Sequence, residues 1–134
     1  MSKLETIEGI GPAISEKLSE AGVGSVEALL KNGASKQGRQ KIAEQTGITE
    51  IKILRLVNHA DLMRIKGIGG EYSELLECAG VDSVPELAQR NAANLLEKMT
   101  SVNAEKKLVR ALPVESQLSD WITQAGVLDK IVQH

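Results

Sequence analysis

The sequence predicts an all-α fold in which two tandem repeats are packed into one compact helical domain. Apolar residues recur every three or four positions along most of the 134 residues, as in an amphipathic helix, and no stretch alternates as a strand would. One segment also occurs twice. Residues 7–29 and residues 65–87 align without a gap and are identical at 13 of 23 positions. The repeat divides the chain into residues 1–60 and residues 61–134, and the second repeat ends in an additional helix.

Glycine and capping residues mark the ends of the early helices. Gly22 and Gly80 each follow a Leu-x-x-Ala sequence, where a glycine beyond the last turn would end a helix. Ser83 and Glu86 have the spacing of a capping box, and Pro85 between them is tolerated in a first helical turn. Each repeat is therefore predicted as a short helix, a Gly-Ile-Gly turn, a second helix, and two or three further short helices.

The later helices are placed by a weaker similarity and by one proline. Residues 46–49 (Thr-Gly-Ile-Thr) resemble residues 100–103 (Thr-Ser-Val-Asn). Thr49 and Asn103 are therefore predicted to cap helices over residues 50–60 and 104–112. Pro113 separates the last helix, predicted over about residues 115–125, from the preceding chain. Trp121 in that helix is expected to fill the core.

Composition narrows the classes of function. Aromatic residues make up 1% of the chain, with no Phe, so rows of aromatic side chains that stack single-stranded bases are excluded. The net charge is −2, whereas proteins dedicated to double strands usually carry a clear basic excess. Any nucleic-acid surface would therefore be a local patch on a mildly acidic protein.

The cellular setting is predicted from cysteine content and hydropathy. Cys78 is the single cysteine, so no disulfide can form within the chain, and this favours the reducing cytoplasm. No apolar run approaches the ~18 residues of a membrane span, and the N-terminal residues lack the apolar segment of a signal peptide. We expect a cytoplasmic protein that does not bind membranes and is a monomer.

The two Gly-Ile-Gly turns are the features with chemical meaning. We call residues 7–11 the first turn and residues 65–69 the second turn. Their glycines permit a positive φ, and Ile10 and Ile68 are expected to point inward and anchor each turn to the core. A helix starts directly after each turn, so its first N–H groups have no acceptor within the helix and suit one phosphate.

Both turns resemble the helix-hairpin-helix motif of DNA-repair and recombination proteins, so the two repeats are interpreted as helix-hairpin-helix repeats. The resemblance implies that amides of the turn hold a phosphate of double-stranded DNA without reading bases, often with a monovalent cation; no other cofactor is expected. Residues 21–30 also resemble the related element in the C-terminal domain of the bacterial RNA polymerase α subunit. Nearly the whole chain resembles an uncharacterised bacterial family with two such units, through residues 7–12, 38–48, 56–69 and 102–109.

The chain departs from the DNA-binding pattern beside both turns. Members of that superfamily usually carry Lys or Arg two residues after the second glycine, where this chain has Ala13 and Glu71. Lys66 lies in the second turn and Arg64 directly precedes it, whereas Glu8 lies in the first turn. The sequence leaves two functions open: a module that binds duplex DNA without sequence preference, or a protein-interaction adaptor in which the turns are only structural. The candidate DNA-contacting residues are Gly9, Ile10, Gly11, Arg64, Lys66, Gly67, Ile68, Gly69 and Gly70.

Other reactive residues do not form a recognisable site in the sequence. The repeat aligns Cys78 with Glu20, so the thiol is expected to be partly exposed and inert. It aligns Leu75 with Lys17, so Leu75 is expected to be exposed and to mark a contact surface. His59 is assigned a polar role at a helix end. No catalytic set, metal site or phosphate-binding loop motif is found, and an enzyme is not expected.

Overall fold

A computed structural model describes residues 3–134, and all regular secondary structure in this range is helical. The all-α prediction is therefore confirmed. After a 3-10 helix at Leu4–Thr6, the helices are α1 (Pro12–Glu20), α2 (Val26–Asn32), α3 (Lys36–Thr46), α4 (Glu50–Leu62), α5 (Gly70–Cys78), α6 (Val84–Ala88), α7 (Ala92–Lys106) and α8 (Glu115–Val127).

The chain forms two compact units. The first unit extends to Asp61 and also contains Ile131–His134, whereas the second unit is Leu62–Lys130. Each unit contains one copy of the repeated segment. The last four residues return to the first unit, which the sequence pattern does not indicate.

The predicted glycine ends of α1 and α5 are confirmed. Gly22 and Gly80 have φ values of +83° and +92°. The N–H of Val23 donates to the Leu18 carbonyl at 2.8 Å, and that of Gly22 to the Ser19 carbonyl at 3.0 Å. The equivalent bonds follow α5 with the same lengths. This pair of bonds is the Schellman motif, which supplies donors to carbonyls that the helix leaves without a hydrogen-bond donor.

The predicted caps of α4 and α6 and the predicted start of α8 are also confirmed. The Thr49 hydroxyl accepts a hydrogen bond from the Lys52 N–H at 3.2 Å, and the Ser83 hydroxyl accepts one from the Glu86 N–H at 3.3 Å. α8 begins at Glu115, two residues after Pro113. Local capping chemistry therefore places the first two helix starts, and the proline precedes the third.

The predicted cap at Asn103 is wrong. Asn103 lies in the last turn of α7, and residues 107–114 are not helical. α3 stops at Gly47, which adopts the left-handed conformation with φ +75°, whereas the corresponding residue of α7 is Ser101 and the helix continues. The Asn103 amide instead pairs with the backbone of Val109, accepting its N–H at 3.0 Å and donating to its carbonyl at 3.1 Å. The side chain therefore closes a loop rather than starting a helix.

The second unit has an aliphatic core built around the only tryptophan. Trp121 is 1% exposed, as predicted for a core residue, and its ring centroid lies 5.4 Å from that of Tyr72. Leu75 is fully buried in this core, so the predicted exposed contact is wrong. The sequence comparison with Lys17 fails because the second unit packs Leu118 and Trp121 of α8 into the cluster that contains Leu75.

The first unit has its own set of buried apolar side chains and one buried cation. Arg39 is 5% exposed, and its guanidinium donates to the carbonyls of Gly33 and Ala34 at 2.9 and 3.0 Å. It also donates to the Gln133 carbonyl at 2.6 Å, so it holds the returning end of the chain. The apolar core residues of this unit are Leu4, Ile7, Ile10, Leu18, Val23, Val26, Leu29, Ile42, Ile53, Leu56, Val57, Ala60 and Val132.

Candidate nucleic-acid interface

The two Gly-Ile-Gly turns have the same backbone conformation. Gly9 and Gly67 have φ values of +94° and +102°, in the region that favours glycine. Gly11 and Gly69 are extended, with φ of −93° and −100°, and they are the N-caps of α1 and α5. The sequence identity of the two turns therefore corresponds to one local structure that the chain forms twice.

The central isoleucines anchor both turns. Ile10 and Ile68 are each 5% exposed, which agrees with their predicted inward orientation. The Ile10 N–H donates to the Ile7 carbonyl at 3.2 Å, and the Ile68 N–H donates to the Ile65 carbonyl at 3.1 Å. With both isoleucines buried, the glycines on either side of each are left at the surface.

Each turn presents the start of a helix to solvent. The earliest residues to donate back to the N-cap carbonyls are Ser15, to Gly11 at 3.0 Å, and Ser73, to Gly69 at 2.9 Å. Earlier N–H groups have no acceptor within their own helix, and such groups bind anions readily. α1 begins with Pro12, which has no N–H, whereas α5 begins with Gly70 and keeps this donor. The second turn therefore presents one more amide.

The charges around the turns differ. Glu8 in the first turn and Ala13 just after it are exposed. The nearby Ser15 hydroxyl donates to the Glu5 carboxylate at 3.1 Å. Lys66 is exposed in the second turn, and Glu71 is exposed at the second position of α5. The second turn is therefore the more favourable of the two for a phosphate, although a carboxylate lies close to its amides.

Arg64 is partly used within the second unit. One of its terminal nitrogens, Nη2, donates to the Asp129 carbonyl at 2.9 Å, and the residue is half-buried. The backbone of Arg64 directly precedes the second turn, but its guanidinium is directed to the Asp129 carbonyl. Lys66 is the better placed of the two cations, because its side chain is exposed.

α8 supplies two contacts to the second turn that sequence reasoning missed. The Lys66 N–H donates to Gln124 Oε1 at 2.9 Å, and Gln124 Nε2 donates to the Lys66 carbonyl at 3.2 Å. A Cβ on Gly67 would lie 2.6 Å from Trp121 Nε1. Trp121 was expected only as a core residue, and no local signal connects Gln124 with a residue 58 positions away.

The remaining reactive residues stay apart from the turns. Cys78 is half-buried, as expected from its alignment with Glu20. His59 lies in the last turn of α4, as expected for a helix-end residue, but it is completely buried. No group of His, Cys, Asp and Glu side chains that could hold a metal ion occurs within residues 3–134. None of the helices described over the same range combines the length and apolar character needed to cross a bilayer.

Comparison with known proteins identifies a family. The chain is 26% identical, over 126 residues, to the poly(3-hydroxyalkanoate) polymerase subunit PhaC of Haloarcula marismortui. The match covers 84% of this chain but spans only 24% of the length of that relative. No solved structure matches the chain. Residues 8–128 match the family described as Domain of unknown function (DUF4332), and the chain belongs to this family.

Proposed function

We propose that the chain is a non-enzymatic module of the helix-hairpin-helix type that contacts the phosphate backbone of duplex DNA without reading bases. One observation carries the proposal. Two turns with matching φ angles place exposed glycines directly before α1 and α5. The cytoplasm is the proposed location, because the chain has a single cysteine, and a monomer is the proposed state.

Backbone amides suit this function because they bind phosphate irrespective of base sequence. A phosphate at the start of α5 would face the N–H groups after Gly69 and the positive end of the helix dipole. Lys66 would add one charge contact. With few cations near the turns, we expect weak binding with a shallow salt dependence, because each phosphate neutralised by a cation adds about 0.9 to the slope of log affinity against log salt.

Fluorescence anisotropy with labelled duplex, single-stranded and branched DNA tests the proposal. Measurements at about 50 and 200 mM salt should show binding that weakens about threefold to fourfold over this range for each phosphate that a cation neutralises. Lys66→Glu should weaken it further, because it places a second carboxylate beside Glu71. Lys98→Glu is the matched control. Lys98 is exposed and lines a groove with Ala79, at the opposite end of α5 from the turn.

The pattern of outcomes is decisive. Binding that weakens with salt and with Lys66→Glu, but not with Lys98→Glu, supports a phosphate contact at the second turn. Equal losses in both variants would indicate a general charge effect and count against the turn. A wild-type chain that binds no form of DNA at about 50 mM salt would make the proposal wrong.

A protein-interaction adaptor is the second candidate, and exposed apolar side chains favour it. Ile51 is 84% exposed in the first turn of α4, and Val127 is 80% exposed at the end of α8. The curated relative adds support, because a segment like this chain makes up about a quarter of a polymerase subunit. Such a segment is suited to binding another protein. Leu75, which is buried, does not contribute to this argument.

Immobilised wild-type chain and the variants Ile51→Glu and Val127→Glu test the adaptor function. A protein that is retained from lysate by the wild type and released by one of these variants would support it. Lys52→Glu, beside Ile51, controls for the added charge. Retention of the same proteins by all four chains would indicate nonspecific capture and would argue against an apolar docking surface.

A further inference from the structure

We infer that Gln124 of α8 is a positioning residue for the second turn, and that the second turn is the preorganised phosphate contact of the two. This inference rests on the proposed DNA-binding function and says which part of the chain dominates the contact. It is carried by the side chains that α8 places against Lys66 and Gly67.

The Gln124 amide holds both sides of one residue's backbone. Its Oε1 accepts the Lys66 N–H at 2.9 Å, and its Nε2 donates to the Lys66 carbonyl at 3.2 Å. Its orientation is set by Asp120, one turn earlier in α8, whose carboxylate accepts from Nε2 at 2.9 Å. Two partners of the Gln124 amide, the Asp120 carboxylate and the Lys66 carbonyl, are acceptors, so both must face its NH₂ group. The amide oxygen therefore faces the Lys66 N–H. Gln124 therefore limits rotation of the backbone on both sides of the Lys66 Cα.

Trp121 and Tyr72 hold the rest of the second turn. Trp121 lies three residues before Gln124, so both side chains project from the same side of α8. The indole Nε1 lies 2.6 Å from the position that a Cβ on Gly67 would occupy. Tyr72, in the first turn of α5, donates its hydroxyl to the Ala111 carbonyl at 2.8 Å. Side chains therefore hold the turn and the start of the helix that follows it.

Within residues 3–134, the first turn lacks an equivalent wall. A Cβ on Gly9 would meet none of the described atoms within 4 Å, and Glu8, which corresponds to Lys66, is exposed. The two turns therefore share a backbone conformation but differ in how it is supported. A contact site that is already ordered loses less entropy on binding, so the second turn should bind phosphate more tightly.

The Gln124 contact also determines which groups remain for a phosphate. The Lys66 N–H and carbonyl are occupied by Gln124, so neither is offered to a ligand. The remaining donors are the N–H groups that follow Gly69 and the exposed Lys66 side chain. Gln124 itself carries no charge. Its removal should lower affinity without changing the number of phosphates neutralised.

Gln124→Ala and Lys66→Gln separate positioning from charge in the full chain. We expect Gln124→Ala to weaken duplex binding about fivefold to tenfold, because it removes a pair of hydrogen bonds that hold the turn. The slope of log affinity against log salt should stay unchanged. Lys66→Gln should instead reduce that slope by about one. Thr123→Ala is the control, since Thr123 is exposed and its hydroxyl donates to the Ser119 carbonyl of its own helix.

Two measurements without DNA test the contact itself. Amide hydrogen exchange at Lys66 should accelerate about tenfold or more in Gln124→Ala, because the Lys66 N–H loses its acceptor. Emission from Trp121, the only tryptophan, should shift, because Gly67 beside the indole follows the residue that Gln124 holds. In wild-type chain titrated with duplex, the amide resonances of Gly67, Gly69 and Gly70 should move more than those of Gly9 and Gly11.

The failures of the two proposals are distinguishable. Unchanged exchange and emission in Gln124→Ala overturn the positioning role whether or not DNA binds. Wild-type binding that Gln124→Ala leaves unaltered, or resonance changes that are larger at the first turn, also overturn it. A wild-type chain that binds no duplex overturns the proposed function and, with it, the DNA role of Gln124, even where the exchange result shows that Gln124 orders the turn.

Discussion

At the scale of single residues, Gly9 and Gly67 show how one backbone conformation can sit in two environments. Both have a φ near +100°, where a side chain costs about 1–2 kcal/mol. Gly9 is open on the side where a Cβ would point, whereas Gly67 faces the Trp121 indole. The requirement for glycine is therefore conformational at the first turn, and both conformational and steric at the second.

We predict that Gly67→Ala destabilises the chain more than Gly9→Ala does. Gly9→Ala should cost about 1–2 kcal/mol through strain alone. Gly67→Ala should cost a further 1–3 kcal/mol, roughly, because Trp121 must move. Urea unfolding followed by far-UV circular dichroism and by Trp121 emission measures both. Equal losses in the free energy of unfolding of the two variants would show that the Trp121 indole moves without an energetic penalty. This result would contradict the tight packing at Gly67.

Arg39 is another residue whose environment the repeat alone does not predict. It lies four residues after the N-cap Ser35, just as Leu95 lies four residues after the N-cap Asn91. Both side chains are buried, but the first unit has an arginine at this position and the second unit has a leucine. Burial lowers the pKa of Arg39, and the Glu50 carboxylate opposes this shift. The guanidinium stays protonated, because it starts from the most basic side-chain pKa in proteins and donates to three carbonyls.

At the scale of helices, α3 and α7 show why the repeat similarity fails towards its end. α3 has 11 residues and stops at Gly47, whereas α7 has 15 residues and passes the corresponding Ser101. α7 ends at Lys106, and its C-cap Lys107 is the one non-glycine residue with a positive φ within residues 3–134, at +52°. A lysine in this conformation is strained, because its Cβ crowds the following carbonyl.

We therefore predict that Lys107→Gly stabilises the second unit. Glycine relieves the left-handed strain at this C-cap, and the gain should be about 0.5–1 kcal/mol after the greater flexibility of the unfolded chain is counted. Lys106→Gly, one residue earlier and still helical, is the control and should destabilise by about 1 kcal/mol. Thermal unfolding followed by Trp121 emission measures both. A loss of stability in Lys107→Gly would mean that the lysine side chain makes a compensating contact.

At the scale of the whole molecule, the end of the chain belongs to the first unit. The Gln133 N–H donates to the Ala34 carbonyl at 2.8 Å, and His134 Nε2 lies 2.9 Å from Asn58 Oδ1. Val132 is 1% exposed, and Arg39 binds the Gln133 carbonyl. The first unit is therefore completed by residues that follow the whole of the second unit in sequence.

We predict that removing residues 131–134 destabilises the first unit and leaves the second unchanged. The deletion exposes the apolar surface that Val132 covers and takes one acceptor from Arg39, so we expect a loss of about 2–4 kcal/mol. When the deletion variant is unfolded, circular dichroism should show that part of the helix is lost before the second unit unfolds. The unfolding midpoint measured by Trp121 emission, which reports on the second unit, should stay unchanged. Arg39→Ala should reproduce the effect, and Lys41→Ala, an exposed neighbour, should not. A shift of the Trp121 midpoint in the deletion variant would contradict this assignment.

Local features of the sequence were enough to predict the all-α class, the glycine ends of α1 and α5, and the caps at Thr49 and Ser83. They were also enough to place Ile10 and Ile68 in the core. Each depends on residues within about six positions, because helical periodicity, capping and turn conformation are decided by near neighbours. The prediction at Asn103 was wrong although the deciding residue is local, because the repeat comparison paired Ser101 with Gly47 and a serine does not end a helix as that glycine does.

The side chains that pack around those elements come from distant parts of the sequence and are evident only in the folded chain. Leu75 was expected at the surface and is core, because α8 packs into the same cluster. Gln124 holds the second turn across 58 residues, and Arg39 holds Gln133 across 94. The most specific residue of the proposed phosphate contact, Gln124, emerged only from the packing of α8. The sequence by itself determined the repeated turn, and the fold determined that one copy is supported by a neighbouring helix, because such contacts join residues with no local relation.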